Sequence, residues 1–442
     1  MTSRNRTTAL AAVLLSATAA FAQGAAPSSP LAGRWDAAFT LNGTDIPFRL
    51  DISQDGQQVK GTLFNGDKET ETTTSAKLNK GEVVLDFEHY LTTISANVNG
   101  DALTGKLRGR FEREKYIADY PFHASRHKDG AVQAAANVPN IAGNWEIPHE
   151  TAKGEKSWRF IVKQNGAEAQ ASILRVDGDT GSLTGTYNNG SWLLSHFDGA
   201  RPLLVRVTPK QDGTLEVKTE GAYTPAEPLQ AYREEVARAK GLPLPEDYGT
   251  HTTVRDASER FAFKFPDVNG KLVSSEDTRF KNKVVLAIVT GTWCPNCHDE
   301  ARYLVELDKK YRDKGLEIIA LDFEEPEQQD SLSREKAFID HYGVKYTYLL
   351  AGAPAEMWEK VPQAVNLNTW PATLFVGKDG RVRKIHSGFA SPSSGAFNEQ
   401  LKKEFTAEIE ALLAEKDTQK LADNGTAPLA AHAPASIHNA SY

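Results

Sequence analysis

Val289-Thr290-Gly291-Thr292-Trp293-Cys294-Pro295-Asn296-Cys297-His298-Asp299-Glu300 contains both cysteines of a 442-residue chain. Upstream of them, Val284 to Val289 is an uninterrupted apolar run, as expected of a strand covered on both faces. Downstream, Ala301, Leu304, Val305, Asp308 and Tyr311 recur at helical spacing. The thiols therefore fall where a buried strand meets the start of a helix. Two cysteines placed at random in so long a chain would lie three apart only about once in 200 times, so the spacing points to chemistry.

The surroundings extend the same pattern. Leu316 to Leu321 reads as a second strand, Ser333 to Tyr342 as a helix, Ala372 to Val376 and Arg381 to His386 as strands joined by the turn Gly377-Lys378-Asp379-Gly380, and Ala396 to Leu413 as a closing helix. Strand and helix alternate, then a hairpin closes the sheet, which predicts an α/β domain over residues 255–415. Residues 416–442, rich in Ala, Pro, Asn and His without periodicity, read as a disordered tail.

At a helix N-terminus, unpaired peptide N–H groups and the positive end of the helix dipole favour a thiolate on Cys294 and lower its pKa below the roughly 8.5 of a free thiol. Cys297, one turn later, is placed to attack a mixed disulfide formed at Cys294 and release the reduced partner. Two other uses of the pair compete with this one. A zinc site asks for four ligands, and the sequence offers no second C-x-x-C or H-x₃₋₅-H, so no metal is expected. A static disulfide closing so small a loop would stabilise the fold little.

Trp293-Cys294-Pro295-Asn296-Cys297 after a buried strand, Glu300 three residues past the second cysteine, Trp370-Pro371 before the hairpin strand, and Phe265-Pro266-Asp267 through Val273 as an opening hairpin resemble the exported thioredoxin-fold thiol:disulfide oxidoreductases of the TlpA/ResA type. The resemblance covers residues 255–415 only. It implies a cis proline at Pro371 that holds a substrate strand beside the disulfide. It further implies a proton-moving role for Glu300, substrate contacts at Trp293, Pro295 and Trp370, and no cofactor. Protein disulfides would be the substrates and a membrane protein the electron donor. Two departures stand out: proline follows the first cysteine instead of preceding the second, and Arg302 replaces a helix-kinking proline. A plain exposed histidine is the expectation for His298. A thiol peroxidase is the nearest competing enzyme, but Thr290-Gly291-Thr292-Trp293-Cys294 lacks the Pro-x-x-x-Thr-x-x-Cys arrangement that activates those cysteines. The non-enzymatic alternative is an exported binding or scaffold protein with a vestigial redox domain.

The first half of the chain has a different texture. Gly33-Arg34-Trp35 recurs as Gly143-Asn144-Trp145, and Phe48-Arg49-Leu50-Asp51-Ile52 as Trp158-Arg159-Phe160-Ile161-Val162, at one constant offset of 110 residues. Such self-similarity reads as an internal duplication. Short alternating runs such as Val83–Phe87 and Leu203–Val207, separated by Asp-Gly and Asn-Gly turns, predict antiparallel strands. Two tandem mainly-β domains, each a small barrel or sandwich, are therefore expected at 31–130 and 140–226, with Trp35 and Trp145 as core anchors. A linker spans 131–140, and residues 227–254 are expected to form a helical linker.

Residues 1–22, with Arg4 and Arg6 before the apolar stretch Ala9 to Phe21 and a small-x-small ending, read as a secretory signal cleaved after Ala22. This implies a periplasmic or secreted protein. No later stretch has the roughly 18 apolar residues needed to cross a bilayer. A formal charge of −7 with both signs interspersed offers no basic face to nucleic acid or anionic lipid.

Overall fold

The computed structural model describes residues 31–66, 68–111, 117–128, 137–220, 227–326 and 332–416. The expected signal, the tail beyond Lys416 and most of the expected 131–140 linker lie outside these residues. Among the described residues, no helix is long and apolar enough to cross a membrane.

Nine antiparallel strands between Gly33 and Arg126 form one sheet that curls into a half-barrel, with Lys68–Thr72 and Ser75–Asn79 at its two edges. Nine more between Gly143 and Arg233 form a closed barrel, because Ser157–Asn165 pairs with both Gly143–Pro148 and Glu168–Arg175. The duplication is visible in register. Gly33 pairs with Ile52 in the first module, and Gly143 pairs with Val162 in the second. In each copy the tryptophan indole donates to the carbonyl four residues earlier, Trp35 to Leu31 at 3.0 Å and Trp145 to Ile141 at 2.9 Å. An arginine from the last strand lies over each indole, Arg126 at 4.3 Å and Arg233 at 3.7 Å, and donates to the carbonyl of Ala32 or Ala142. The glycine before that point is obligatory in both copies. Gly33 and Gly143 have φ of +131° and +108°, and a Cβ on either would sit 2.7 Å from the arginine.

Two expectations need correction. The segment from Glu227 is not helical throughout: Leu229–Arg233 is the strand that closes the second barrel, and the helix is only Glu234–Ala239. Arg233 belongs to the barrel because it must reach Trp145. Nor is the first copy a self-contained barrel or sandwich: its sheet stays open and its core takes in residues of the second. Phe197 and Leu204 of the second module are buried in the first module's core, with the Phe197 ring 5.0 Å from Phe39 and 4.9 Å from Phe48. An open half-barrel leaves apolar surface that its neighbour fills.

The C-terminal domain is built on a five-stranded mixed sheet. Its order is Thr347–Gly352, Leu316–Phe323, Val284–Thr290, Ala372–Val376, Val382–Ser387; the first three strands are parallel and the last two antiparallel. Val284–Thr290 is central and every residue in it is buried, which explains why its sequence shows no alternation. Helices Pro295–Tyr311 and Ala396–Ala414 pack on one face around Leu304, Leu307, Phe405 and Ile409. Phe261, Phe263, Phe280 and Met357 cover the other. The helical spacing at Ala301, Leu304, Val305, Asp308 and Tyr311 thus lies on the helix that carries the cysteines.

Candidate active site

The central strand ends at Thr290, and the turn that follows delivers Cys294 to the N-cap of helix Pro295–Tyr311. Cys294 and Cys297 form a disulfide with Cα atoms 5.2 Å apart. The Cys297 amide points at the Cys294 sulfur, 3.2 Å away, as a first-turn donor does toward a cap acceptor. Pro295 occupies the first helical position, where its missing N–H costs nothing.

The turn is held from below. Glu324 accepts from the Thr292 amide at 2.6 Å and its hydroxyl at 3.0 Å, and the Trp293 indole donates to the Phe323 carbonyl at 2.8 Å. Gly291 leaves room for that indole; a Cβ there would be 2.4 Å from its nitrogen. Trp293 and Trp370 meet edge to face with ring centroids 5.1 Å apart. The Trp370–Pro371 bond is cis, as the resemblance implies. Asp322, buried beside Glu324, takes a hydrogen bond from the Tyr348 hydroxyl at 3.0 Å. Burial and then the Glu324 charge push its carboxyl well above the usual range.

Glu300 is 1% exposed, one turn beyond Cys297 and under the strand that follows Pro371. Its Oε1 accepts from the Thr373 hydroxyl at 2.6 Å, and its Oε2 has no hydrogen-bond partner among the described residues. Burial raises its pKa to about 8, against the smaller opposite effect of the Thr373 bond. The carboxyl is therefore poised to gain or lose a proton near neutrality. A solvated first-turn glutamate would not be.

His298 departs from expectation. It is 2% exposed, its Nε2 lies 2.6 Å from the Thr292 carbonyl, and its Nδ1 lies 2.7 Å from the Tyr342 hydroxyl and 3.4 Å from Glu71 of the first β module. Burial alone would raise the Glu71 carboxyl, but the His298 ring, through a hydrogen bond and its charge, brings it below the ordinary range. The His89 ring stands 5.4 Å from that of His298; burial, then His298, push His89 down to about 3. Asn296, between the cysteines, is buried and bonded to the second β module. The only sequence signal for either residue was adjacency to a cysteine, since the modules that bury them lie at least 95 residues away.

A disulfide on the first turn of the helix after the central strand, a cis proline at the start of the neighbouring antiparallel strand, and a buried carboxyl beneath both define a thioredoxin-fold dithiol site. Residues 257–385 match the AhpC/TSA family. The thiol-disulfide oxidoreductase ResA of Bacillus thuringiensis is 32% identical over 120 residues, which cover 27% of this chain and 62% of that protein. The ResA of Halalkalibacterium halodurans is 26% identical over 141 residues, 32% of this chain and 73% of that one. Among solved structures, a thiol:disulfide interchange protein of the thioredoxin family from Chlorobium tepidum is similar at 19% identity, covering 35% of this chain and 95% of its own, with a TM-score of 0.28. These comparisons support a TlpA/ResA-like thiol:disulfide oxidoreductase domain at the C-terminal end of the chain. The chain spans 62% of the length of the first curated relatives, and the two β modules lie outside the matched residues.

Proposed function

We propose that the protein is an exported, periplasmic thiol:disulfide oxidoreductase that reduces protein disulfides through Cys294 and Cys297. One observation carries this reading: the pair sits at a helix N-terminus with the Cys297 amide directed at the Cys294 sulfur, the arrangement that stabilises a thiolate. In the reduced protein the Cys294 thiolate attacks one sulfur of a substrate disulfide, forming a mixed disulfide and expelling a substrate thiolate. Cys297 then loses its proton and attacks the Cys294 sulfur, which forms the internal disulfide and expels the second substrate thiolate. Two electrons pass to the substrate, and its two expelled thiolates are protonated from the medium. The oxidised pair is the product, and a dithiol donor, for which we propose a membrane protein, returns it to the reduced state.

In this reading Glu300 moves protons as the thiols interconvert, and Pro371, Trp293, Pro295 and Trp370 border the approach of the substrate strand. Residues 1–22 direct export. Residues 31–130 and 140–226, the latter extended by the strand Leu229–Arg233, serve the redox domain as β modules without chemistry of their own. Mass spectrometry tests the assignment. Cys297→Ala incubated with oxidised glutathione should retain a mixed disulfide on Cys294, while Cys294→Ala should retain little on Cys297. Preferential trapping on Cys297 would reverse the roles, and no adduct on either variant would remove the redox function.

A further inference from the structure

Cys294 and Cys297 are 3% and 1% exposed, and the chain's own β modules bond to Asn296 between them and stand against His298 beside them. Exchange needs a partner sulfur at bonding distance from Cys294, about 2 Å, with its own Cβ some 4 Å from that of Cys294. A protein disulfide has no route to the pair in this arrangement.

The cover consists mainly of backbone and polar groups. The Asp177 carbonyl of the second module accepts from the Asn296 side chain at 2.9 Å and from the Phe389 amide at 3.2 Å, and Gly178 forms a parallel β-bridge with Phe389. Arg201 donates to the oxygen of the same Asn296 amide at 3.2 Å. Asp179 is held by the Ser391 amide at 2.7 Å and the Ser391 hydroxyl at 2.9 Å. From the first module come Glu71, 3.4 Å from His298, and the Thr70 carbonyl, 3.4 Å from Arg302. Gly388, which lies against the backbone of Val176 to Gly178, donates to the Pro371 carbonyl at 2.8 Å, so that segment and the cis proline flank the same residue.

We propose that residues 176–179 are an internal occupant of the surface on which a protein disulfide must dock, and that the β modules thereby gate the dithiol. The inference rests on the redox reading above and specifies the kind of partner: an extended polypeptide segment whose carbonyl replaces that of Asp177 at Asn296 and Phe389. Around Gly178 the contact is backbone against backbone. A Cβ on Gly178, at φ +116°, would fall 2.2 Å from the Phe389 carbonyl oxygen, and one on Gly388, at φ +69°, 2.3 Å from that of Val176. Hydrogen bonds of this kind can pass to water or to another chain when the surfaces part, as at polar interdomain contacts generally. Ile161 and Leu174, packed into the core of the C-terminal domain, keep the second module attached.

The chain has two cysteines, so every thiol label reports on the site. The full-length protein is reduced with dithiothreitol and freed of it. Its reaction with N-ethylmaleimide is then compared with that of a polyethylene-glycol maleimide, which carries the same reactive group on a bulky chain, and glutathione sets the reference ratio. If the site is open in only a minor population, the bulky reagent should be disfavoured at least about tenfold relative to glutathione. Gly178→Val, which cannot keep its contact with Phe389, should recover most of that loss and reduce insulin faster than the wild type. A wild-type ratio equal to that of glutathione overturns the gate by itself, whether or not the variant folds. A folded Gly178→Val with the wild-type ratio overturns the role of segment 176–179. A protein that traps glutathione but shows no size discrimination keeps the redox function and loses the gate; one that discriminates but traps nothing does the reverse.

Discussion

Glu300 is the residue whose environment makes the sharpest demand on solution behaviour. Its pKa is raised to about 8 in the fold against about 4.5 in an unfolded chain, so between those values the folded protein holds a proton that the unfolded chain has released. Stability must fall as pH rises through this window and level off above it. His89 and His386, lowered to about 3 and about 4, act oppositely: their contribution is lost as pH falls below the ordinary histidine value of about 6.5. The window from 6.5 to 8 is free of those histidines. There the urea midpoint of the wild type should fall with pH, and that of Glu300→Gln should fall less; identical slopes would mean that Glu300 is ionised throughout. The placement of Cys294, Cys297, Pro371 and Glu300 was legible in the sequence because it depends on the strand and helix that flank them. Asn296 and His298 were not, because Asp177, Arg201 and Glu71, which fix them, are neighbours only in three dimensions.

At the level of elements, alternation and turn signals found the β strands, and the continuous apolar run found the central one. The strand Leu229–Arg233 was hidden behind the charged sequence that follows it, and it is identifiable only as the element that brings Arg233 over Trp145. The strand Thr347–Gly352 was also missed, since Tyr348-Leu349-Leu350-Ala351 is too short a run to separate from a buried helix by period. The contact between the β modules goes with an open sheet: the first sheet leaves its edge strands unpaired with each other, and Phe197 completes its core against Phe39, Phe48 and Phe111. Phe197→Ala should therefore cost about 3–5 kcal/mol, the usual penalty for emptying a buried phenylalanine site. The first module should lose structure together with the second in urea, followed by tryptophan fluorescence and circular dichroism. A loss below about 1 kcal/mol would mean that the half-barrel closes without its neighbour.

Over the whole molecule, a redox domain of common design is joined to a duplicated β unit that lies against its reactive face. The duplication was readable from a constant offset. Its docking was not, because it is made by single polar groups such as Asp179, Arg201 and Glu71 and by the apolar Ile161 and Leu174, which form no periodic pattern of their own. The central claim is that Cys294 and Cys297 interconvert as a reducing dithiol, and their reduction potential, measured by equilibrating the full-length protein in glutathione buffers and counting free thiols, tests it most directly. A value between about −180 and −270 mV, where reductases and isomerases operate, is the predicted result. A value near −120 mV, the strongly oxidising end of the thioredoxin-fold range, would contradict it and make the protein an oxidase.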